Sequence, residues 1–423
     1  MTDLLNSSPS RVLYNLFVDK GGQEVTYLKK ILLSLGSLAL LIGFSQSYAT
    51  SGGRNIVVFG DSSSDAANLQ VDDPYCTILE LVESVKEQKK YPCGNNFWVR
   101  SRGKGLTKDG EDTPTSPPGA PITSTSGESA NEFGERKMWP NYLIEKLKLS
   151  GKGNINRYSD VRERISDLTG LNVSYAFASA ETIDGYLNDA GGQVPSCVAP
   201  GVDEVMVCIP GLLKQVDLYI DDISKQKKNP DTLYIFSGGG NDILNALTAG
   251  GLLQDQTQLA ATLEAPEKFI EDIIRQPIKN IGKAVDMLQK SGGISRQKIY
   301  VINLPSLSQV PALQALVQGP KVSNEQKIKL LALLDDISDE YNTELEGQLK
   351  AQKLRGKNLF KVSALLTKVT RRPDDYAGIS NVSDDCVSAG RAPQCDGYLW
   401  FNEKHLTSRG HEIIAEALAE LVG

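Results

Sequence analysis

The chain contains two histidines among 423 residues, and both lie near its C-terminus, at His405 and His411. Far upstream, Ser62 follows a short apolar run that ends at Phe59. A serine hydroxyl becomes a good nucleophile at neutral pH when a base takes its proton, and imidazole most often does so. If Ser62 is a nucleophile, its base is therefore one of these two residues. His411 falls on the apolar side of a predicted helix and is the better candidate for a core or supporting histidine, whereas His405 lies in the connection that enters this helix, where a side chain can reach across the strand ends.

A second segment that could take part in catalysis is Ser237–Asp242, which follows the apolar run Leu233–Phe236. Its glycines permit close approach of the backbone, and Asn241 could aim its side-chain N–H groups at an oxyanion. A phosphate-binding loop does not fit, because no Gly-Lys-Ser/Thr follows. Each piece alone has an ordinary explanation, since Ser62 could be a helix N-cap and the glycine segment a simple turn.

Strand-like runs alternate with helix-like runs after residue 50. Such alternation predicts a parallel sheet with helices on both faces, and ligands bind beyond the carboxyl ends of its strands. Ser62 is then expected at that edge, at the N-terminus of a helix. The predicted strands are Ile56–Phe59, Leu171–Phe177, Leu233–Phe236 and Lys298–Asn303. The predicted helices are Pro266–Gln289, Asn324–Gln352 with the stripe Ile328, Leu331, Leu334, Ile337, Tyr341 and Leu345, and a last helix capped by Thr407 that buries Ile413, Ile414, Ala417, Leu418 and Leu421.

Two stretches do not follow this alternation. Residues 100–135 are rich in Gly, Ser, Thr and Pro, and Thr113–Thr125 has almost no core-forming residues. We interpret this part as a long loop within an insertion at about 70–137, and as a candidate lid. Residues 371–396 form a second irregular stretch. Residues 50–423, with this insertion, are expected to form a single domain.

The N-terminal residues 1–49 are expected to be an extension followed by a signal peptide at 29–49. Lys29 and Lys30 precede the apolar stretch Ile31–Phe44, and Ser47–Ala49 offers a small-x-small cleavage site. The apolar stretch is short for a bilayer span, although a membrane anchor or a buried helix is the alternative. Residues 1–28 are polar, which suggests translation starting near residues 25–28. We therefore predict a secreted or periplasmic protein.

Six cysteines in an exported protein suggest disulfide bonds. They form three close couples along the chain, and local pairing is the simplest arrangement among the several connectivities that six cysteines allow. Zinc is a weak alternative, because no C-x-x-C spacing occurs and histidines are scarce. The couples are Cys76 with Cys93, Cys197 with Cys208, and Cys386 with Cys395.

Composition excludes one class of partner. The formal net charge is −7, and 40% of the residues are hydrophobic. Nucleic-acid binding needs a concentrated basic face, so no nucleic-acid partner is expected. The apolar content is that of an ordinary globular protein with a sizeable core.

Taken together, these segments resemble the GDSL, or SGNH, family of serine esterases and lipases. Phe59-Gly60-Asp61-Ser62-x-x-Asp65-x-x-Asn68 is similar to the first family block, with Ser63 where leucine is usual. Gly239-x-Asn241-Asp242 is similar to the third block, and Asn402–His405 lies at the position of the last. The stretches Asn303–Pro311 and Pro373–Cys386 also resemble segments of the longer members.

The resemblance implies a fold and a set of roles. The fold is a flavodoxin-like three-layer α/β/α sandwich around a mostly parallel five-stranded sheet. Ser62 would be the nucleophile and His405 the base. The oxyanion hole would comprise the Ser62 N–H, Asn241, and Ser179 at the family's glycine position. No metal or organic cofactor is implied.

The chain departs from the family pattern at two of these positions. Ser179 replaces a glycine, so its N–H can serve only if the local backbone suits a non-glycine residue. Asn402 replaces the aspartate three residues before the histidine. A neutral amide stabilises the imidazolium less well, although Asn402 Oδ1 can still accept the imidazole N–H. Asp396 and Glu403 are alternative partners for His405, but neither has the family spacing.

The expected function is a secreted lipolytic hydrolase that cleaves esters through an acyl-serine intermediate. The resemblance is greatest to bacterial phospholipase A, lysophospholipase and lipid acyltransferase members, which implies a (lyso)phospholipid substrate, peripheral membrane contact and transfer of the acyl group to an alcohol. A short-chain or carbohydrate-ester esterase is one alternative. The other is a lipid-binding relative whose catalysis is impaired by Asn402.

Overall fold

The computed structural model describes residues 54–65, 105–106, 112–113 and 138–423, the last range with gaps. The gaps are 150–154, 159–167, 169, 178, 188–192, 195–208, 225–228, 249–251, 253–255, 320–321 and 392–394. The predicted signal peptide, the couples Cys76–Cys93 and Cys197–Cys208, and most of the 70–137 insertion lie outside the described residues.

Thirteen strands occur in the described residues. They are β1 Ile56–Phe59, β2 Gly105–Leu106, β3 Asp112–Thr113, β4 Asn156–Arg157, β5 Val173–Ser174, β6 Tyr186–Leu187, β7 Gln193–Val194, β8 Ile209–Pro210, β9 Leu233–Ser237, β10 Ile299–Ile302, β11 Leu359–Phe360, β12 Ile379–Asp385 and β13 Gly397–Trp400. The helices of the same part are α1 Trp139–Lys146, α2 Leu212–Ser224, α3 Gly240–Thr248, α4 Gln256–Glu264, α5 Pro266–Lys290, α6 Pro311–Val317, α7 Asn324–Ala351, α8 Val362–Arg371 and α9 Ser408–Val422.

The central sheet is parallel and has the strand order β11-β10-β9-β1-β5-β4. This sheet has six strands, one more than the five that the resemblance implied; β1, β5, β9 and β10 correspond to the four predicted strands, and the two-residue strands β11 and β4 lie at the two edges. This order places β1 between β9 and β5, with Val58 opposite Ile235 on one side and Ser174 on the other. The carboxyl ends of these three strands therefore meet at one edge, as the α/β prediction requires.

The strands are apolar on both faces because helices cover both. Val57, Phe59 and Phe236 belong to the core that contains α2, α5 and α7. Val58 and Ile235 belong to the core that contains α1, α8 and α9 on the opposite face. Successive strand side chains point to opposite faces, so these near-continuous hydrophobic runs are those of a sheet buried between two helix layers.

The sequence prediction was wrong in three details. Ile328 is 72% exposed, and the buried stripe of α7 includes Leu330 and Leu333, which the prediction left out, beside the expected Leu334, Ile337, Tyr341 and Leu345. The stretch 371–396 is not wholly irregular, since it contains β12, which pairs with β13. The second predicted strand shortens to β5, although Tyr175 and Phe177 still donate their amides to the β1 chain.

Candidate active site

Ser62 lies in a tight turn directly after β1. The amide of Ser64 donates to the Asp61 carbonyl oxygen at 3.0 Å, which closes the turn around Ser62. We expected Ser62 at the N-terminus of a helix. The structure describes a turn here, and residues 66–70 lie outside the described part.

A buried glutamine of α2 holds the start of this turn. Gln215 Nε2 donates to the Gly60 carbonyl oxygen, and the Gly60 amide donates to Gln215 Oε1, each at 2.8 Å. A side chain at Gly60 would collide with the Ser237 carbonyl at the end of β9, so only glycine fits between the two strand ends. The turn is thus tied to both neighbouring elements.

His405 belongs to a loop between β13 and α9. The amide of Phe401 donates to the His405 carbonyl oxygen at 2.8 Å, and Trp400 forms a bridge with Leu406. The amide of Ala312 in α6 also donates to the Glu403 carbonyl at 2.8 Å. These contacts anchor the loop at both of its ends and at its tip.

The loop brings the imidazole to the serine across 343 positions of sequence. His405 Nε2 lies 2.8 Å from Ser62 Oγ. Asn402 Oδ1 lies 3.0 Å from His405 Nδ1, on the other side of the ring. The order Ser62–His405–Asn402 is that of a nucleophile, a base and a group that orients the base.

Two backbone amides determine how the Asn402 side chain is oriented. The amides of Lys404 and His405 donate to Asn402 Oδ1 at 3.0 Å and 2.8 Å. Rotating the amide by half a turn would place an NH₂ group against two N–H donors, so the oxygen must face them. Because that same oxygen contacts Nδ1, Nδ1 is the protonated nitrogen. Nε2 then carries the lone pair that can accept the Ser62 proton.

The alternative carboxylate partners do not occupy this position. Asp396 is exposed, and Glu403 is also exposed, with its carboxylate 3.6 Å from Lys404 Nζ. Asn402 itself is only 6% exposed. The neutral amide, not a carboxylate from either residue, therefore faces His405 Nδ1.

The electrostatic environment keeps His405 neutral. Burial, with a further contribution from the positive charge of Lys404, lowers the pKa of His405 from its ordinary 6.5 to about 3. The neutral imidazole is the form that accepts a proton, so His405 stays in its basic form well into the acidic range.

The other two predicted residues lie beyond the carboxyl ends of the strands that flank β1. Ser179 follows β5, and Asn241 stands in the first turn of α3 after β9. Ser179 has φ +64°, the left-handed conformation that glycine adopts readily. Its backbone thus has the conformation that the sequence analysis required of a non-glycine residue at this position. Asn241 Nδ2 donates to the Ala180 carbonyl at 2.9 Å, which links the two segments.

Sequence reasoning missed the residues that hold this framework. Gln215 lies on the apolar face of α2, between Leu212 and Tyr219, and a glutamine at such a position is the signal that could have identified it.

His411 is 2% exposed, as expected for a core histidine, and burial lowers the pKa of its imidazole to about 3.

A serine, a histidine and an orienting amide at the edge of a flavodoxin-like sheet are the features of a hydrolase that uses a nucleophilic serine. The family model described as GDSL-like Lipase/Acylhydrolase matches residues 56–418. The chain belongs to this family. GDSL membership supports an ester-bond hydrolase, and the matched range contains every candidate residue named above. A search of curated proteins found no match.

Membrane-spanning helices and metal clusters are both missing from the part of the chain that the structure describes. Among those residues, no helix combines the length and the apolar character that a membrane crossing requires. The same residues contain no group of three or more His, Cys, Asp or Glu side chains arranged to hold a metal ion.

Proposed function

We propose that this protein hydrolyses carboxylic esters of lipids through an acyl intermediate on Ser62. The observation that carries the proposal is the 2.8 Å contact between Ser62 Oγ and His405 Nε2, with Asn402 Oδ1 on the opposite nitrogen. The proposal assigns Ser62 as the nucleophile, His405 as the general base and acid, and Asn402 as the orienting group.

In the first step, Ser62 Oγ attacks the ester carbonyl carbon while its proton passes to His405 Nε2. The carbonyl oxygen becomes an oxyanion, which the Ser62 and Ser179 amides and the Asn241 side chain would stabilise. His405 becomes an imidazolium whose Nδ1–H donates to Asn402 Oδ1. Collapse of the tetrahedral intermediate breaks the ester C–O bond, and the departing alcohol takes the proton from Nε2.

In the second step, water attacks the acyl-serine ester in the same way. His405 Nε2 takes a proton from the water while the water oxygen attacks the acyl carbon. His405 then gives the proton to Ser62 Oγ as the acyl C–O bond breaks. The carboxylic acid leaves and the free enzyme is restored. An alcohol in place of water would give a new ester by the same route, which is the acyl-transfer variant of this proposal.

A lipid ester is the substrate that we infer, with (lyso)phospholipids as the first candidates. The stretch Gly378–Cys386, which resembles that of phospholipid-cleaving relatives, packs beside the His405 loop. The amides of Cys386 and Val387 donate to the Trp400 and Phe401 carbonyls, each at 3.1 Å. The predicted signal peptide at 29–49 agrees with action on lipids outside the cytoplasm. The alternative substrates are short-chain and carbohydrate esters.

A substrate panel with a nucleophile variant tests the proposal. Purified protein would be assayed on a short-chain p-nitrophenyl ester, on lysophosphatidylcholine micelles and on an acetylated oligosaccharide, beside S62A. We expect the fastest turnover on lysophosphatidylcholine and no turnover by S62A. Faster cleavage of either other substrate would reject the lipid preference. Equal rates for the wild-type protein and S62A would reject the proposed enzymatic function and favour the lipid-binding alternative.

A further inference from the structure

The loop that follows β5 is held by side chains of α3. Asn241 Nδ2 donates to the Ala180 carbonyl at 2.9 Å. One turn further along the helix, Asn245 Nδ2 donates to the Glu181 carboxylate at 2.6 Å, at an exposed position. Two successive residues of the loop are therefore bound to two side chains of one helix.

Asp242 forms the strongest of these links. Its carboxylate accepts the Thr182 amide at 3.0 Å and the Thr182 hydroxyl at 2.6 Å. Thr182 is fully buried, and its Oγ1 also accepts Asn280 Nδ2 from α5 at 3.3 Å. Hydrogen bonds to an ionised acceptor are roughly twice as strong as neutral ones, so Asp242 fixes both the backbone and the side chain of Thr182.

The carboxylate occupies this position at an energetic disadvantage. Burial raises the pKa of Asp242, the Thr182 hydrogen bonds lower it and the negative charge of Glu181 raises it, so that the pKa stands at about 6. An acid so far desolvated is retained in charged form mainly by the two Thr182 donors. Asp242 and Thr182 therefore depend on each other, and loss of either should release the loop.

Three residues before Thr182, the loop contains strained backbone. Ser179 has φ +64°, a left-handed conformation that is unfavourable for a non-glycine residue. Strained residues persist when the surrounding contacts determine the chain path on both sides. The preceding side is fixed by the Phe177 amide, which donates to the Gly60 carbonyl at 3.1 Å. Asp242 supplies the fixed point on the other side.

We propose that Asp242 is a positioning residue of the oxyanion hole, which by anchoring Thr182 holds the Ser179 turn in the shape that presents its amide to the substrate oxyanion. Asp242 acts through Thr182 and not on the substrate itself. This inference rests on the proposed function, because it assigns Ser179 N–H the role of an oxyanion donor. It adds an acidic residue that positions the Ser179 turn and does not transfer a proton.

The test combines D242N with S179G and a matched control. Asparagine keeps the size of Asp242, but it carries no charge and its NH₂ group cannot accept a hydrogen bond, so the links to the Thr182 amide and hydroxyl are weakened. We expect D242N to lower kcat about tenfold, less than the ~10²–10³ loss on deleting an oxyanion donor, with KM nearly unchanged. N245A removes the exposed neighbouring link and should lower kcat by much less. In the S179G background, where the turn is unstrained, D242N should lower kcat only a few-fold.

Hydrogen exchange gives a readout that does not depend on activity. The amides of Ala180 and Thr182 should exchange faster in D242N than in the wild-type protein or N245A. The inference is overturned if D242N changes KM instead of kcat, if its kcat loss is the same in the wild-type and S179G backgrounds, or if the exchange of these amides is unaltered. A wild-type protein without esterase activity would instead reject the proposed function, and the exchange experiment would still decide whether Asp242 anchors the loop.

Discussion

Asn402 Oδ1 lies 3.0 Å from His405 Nδ1 while it accepts two backbone amides. In serine proteases, replacing the corresponding aspartate by asparagine lowers kcat by about 10⁴, largely because the imidazole takes the wrong tautomer. Here the two amides force the oxygen toward the ring, so the tautomer is the productive one. Compared with an aspartate, Asn402 therefore lacks only the negative charge.

The first prediction is that N402D accelerates turnover. A charged acceptor strengthens a hydrogen bond by about 1–2 kcal/mol, which corresponds to roughly a tenfold increase in kcat. N402A, which removes the acceptor, should lower kcat. Steady-state kinetics on one p-nitrophenyl ester would measure both. An unchanged or lower rate for N402D would mean that another group orients His405.

The second prediction concerns pH. Because the pKa of His405 is lowered to about 3, the wild-type base should remain functional far below its ordinary pKa of 6.5. A carboxylate at position 402 favours the imidazolium and raises that pKa, so the acid limb of kcat/KM should move to higher pH in N402D. Titration of the Asp242 carboxyl, whose pKa is about 6, could also contribute to the acid limb of kcat/KM. Any such contribution should be absent from the profile of D242N. Acid limbs at the same pH in wild type and N402D would contradict the assignment.

The third prediction compares two adjacent glycines after β9. Gly239 has φ +97°, and a side chain there would collide with the Tyr341 hydroxyl, which donates to the Gly238 carbonyl at 3.1 Å. A Cβ at Gly238 would meet only ordinary contacts, the nearest at 3.7 Å. We expect G239A to lower the free energy of unfolding by more than about 2 kcal/mol and G238A by less than about 1 kcal/mol. Denaturant titration measures both, and equal losses would refute the argument.

The fourth prediction concerns the disulfide between Cys386 and Cys395, which confirms the third predicted couple. Its sequence separation is 9, so replacing both cysteines by serine should lower the free energy of unfolding by about 2–3 kcal/mol. The bonded segment pairs with the strand that leads to Asn402, so kcat should fall as well. Urea unfolding and ester hydrolysis would test this, and full activity after replacement would show that the His405 loop holds its shape unaided.

Much of the fold could be predicted because the strands are short apolar runs buried on both faces, and β1, β9 and β10 lie within one residue of the expected bounds. The small number of histidines limits the base to His405 or His411, the resemblance favours His405, and His405 is in contact with Ser62. The orientation of Asn402 and the anchoring by Asp242 could not be predicted, since both depend on loops meeting across the sheet edge. The helical periodicity wrongly placed Ile328 in the buried stripe, because α7 begins in solvent before it reaches the core.

The most direct test of the central claim is to identify the acylated residue. The protein would be incubated with an ester-mimicking fluorophosphonate, digested and analysed by mass spectrometry, beside S62A and the neighbouring variant S63A. We expect one adduct, on Ser62, in the wild-type protein and in S63A, and none in S62A. Labelling of another residue, or equal labelling of S62A, would contradict the assignment of Ser62 as the nucleophile.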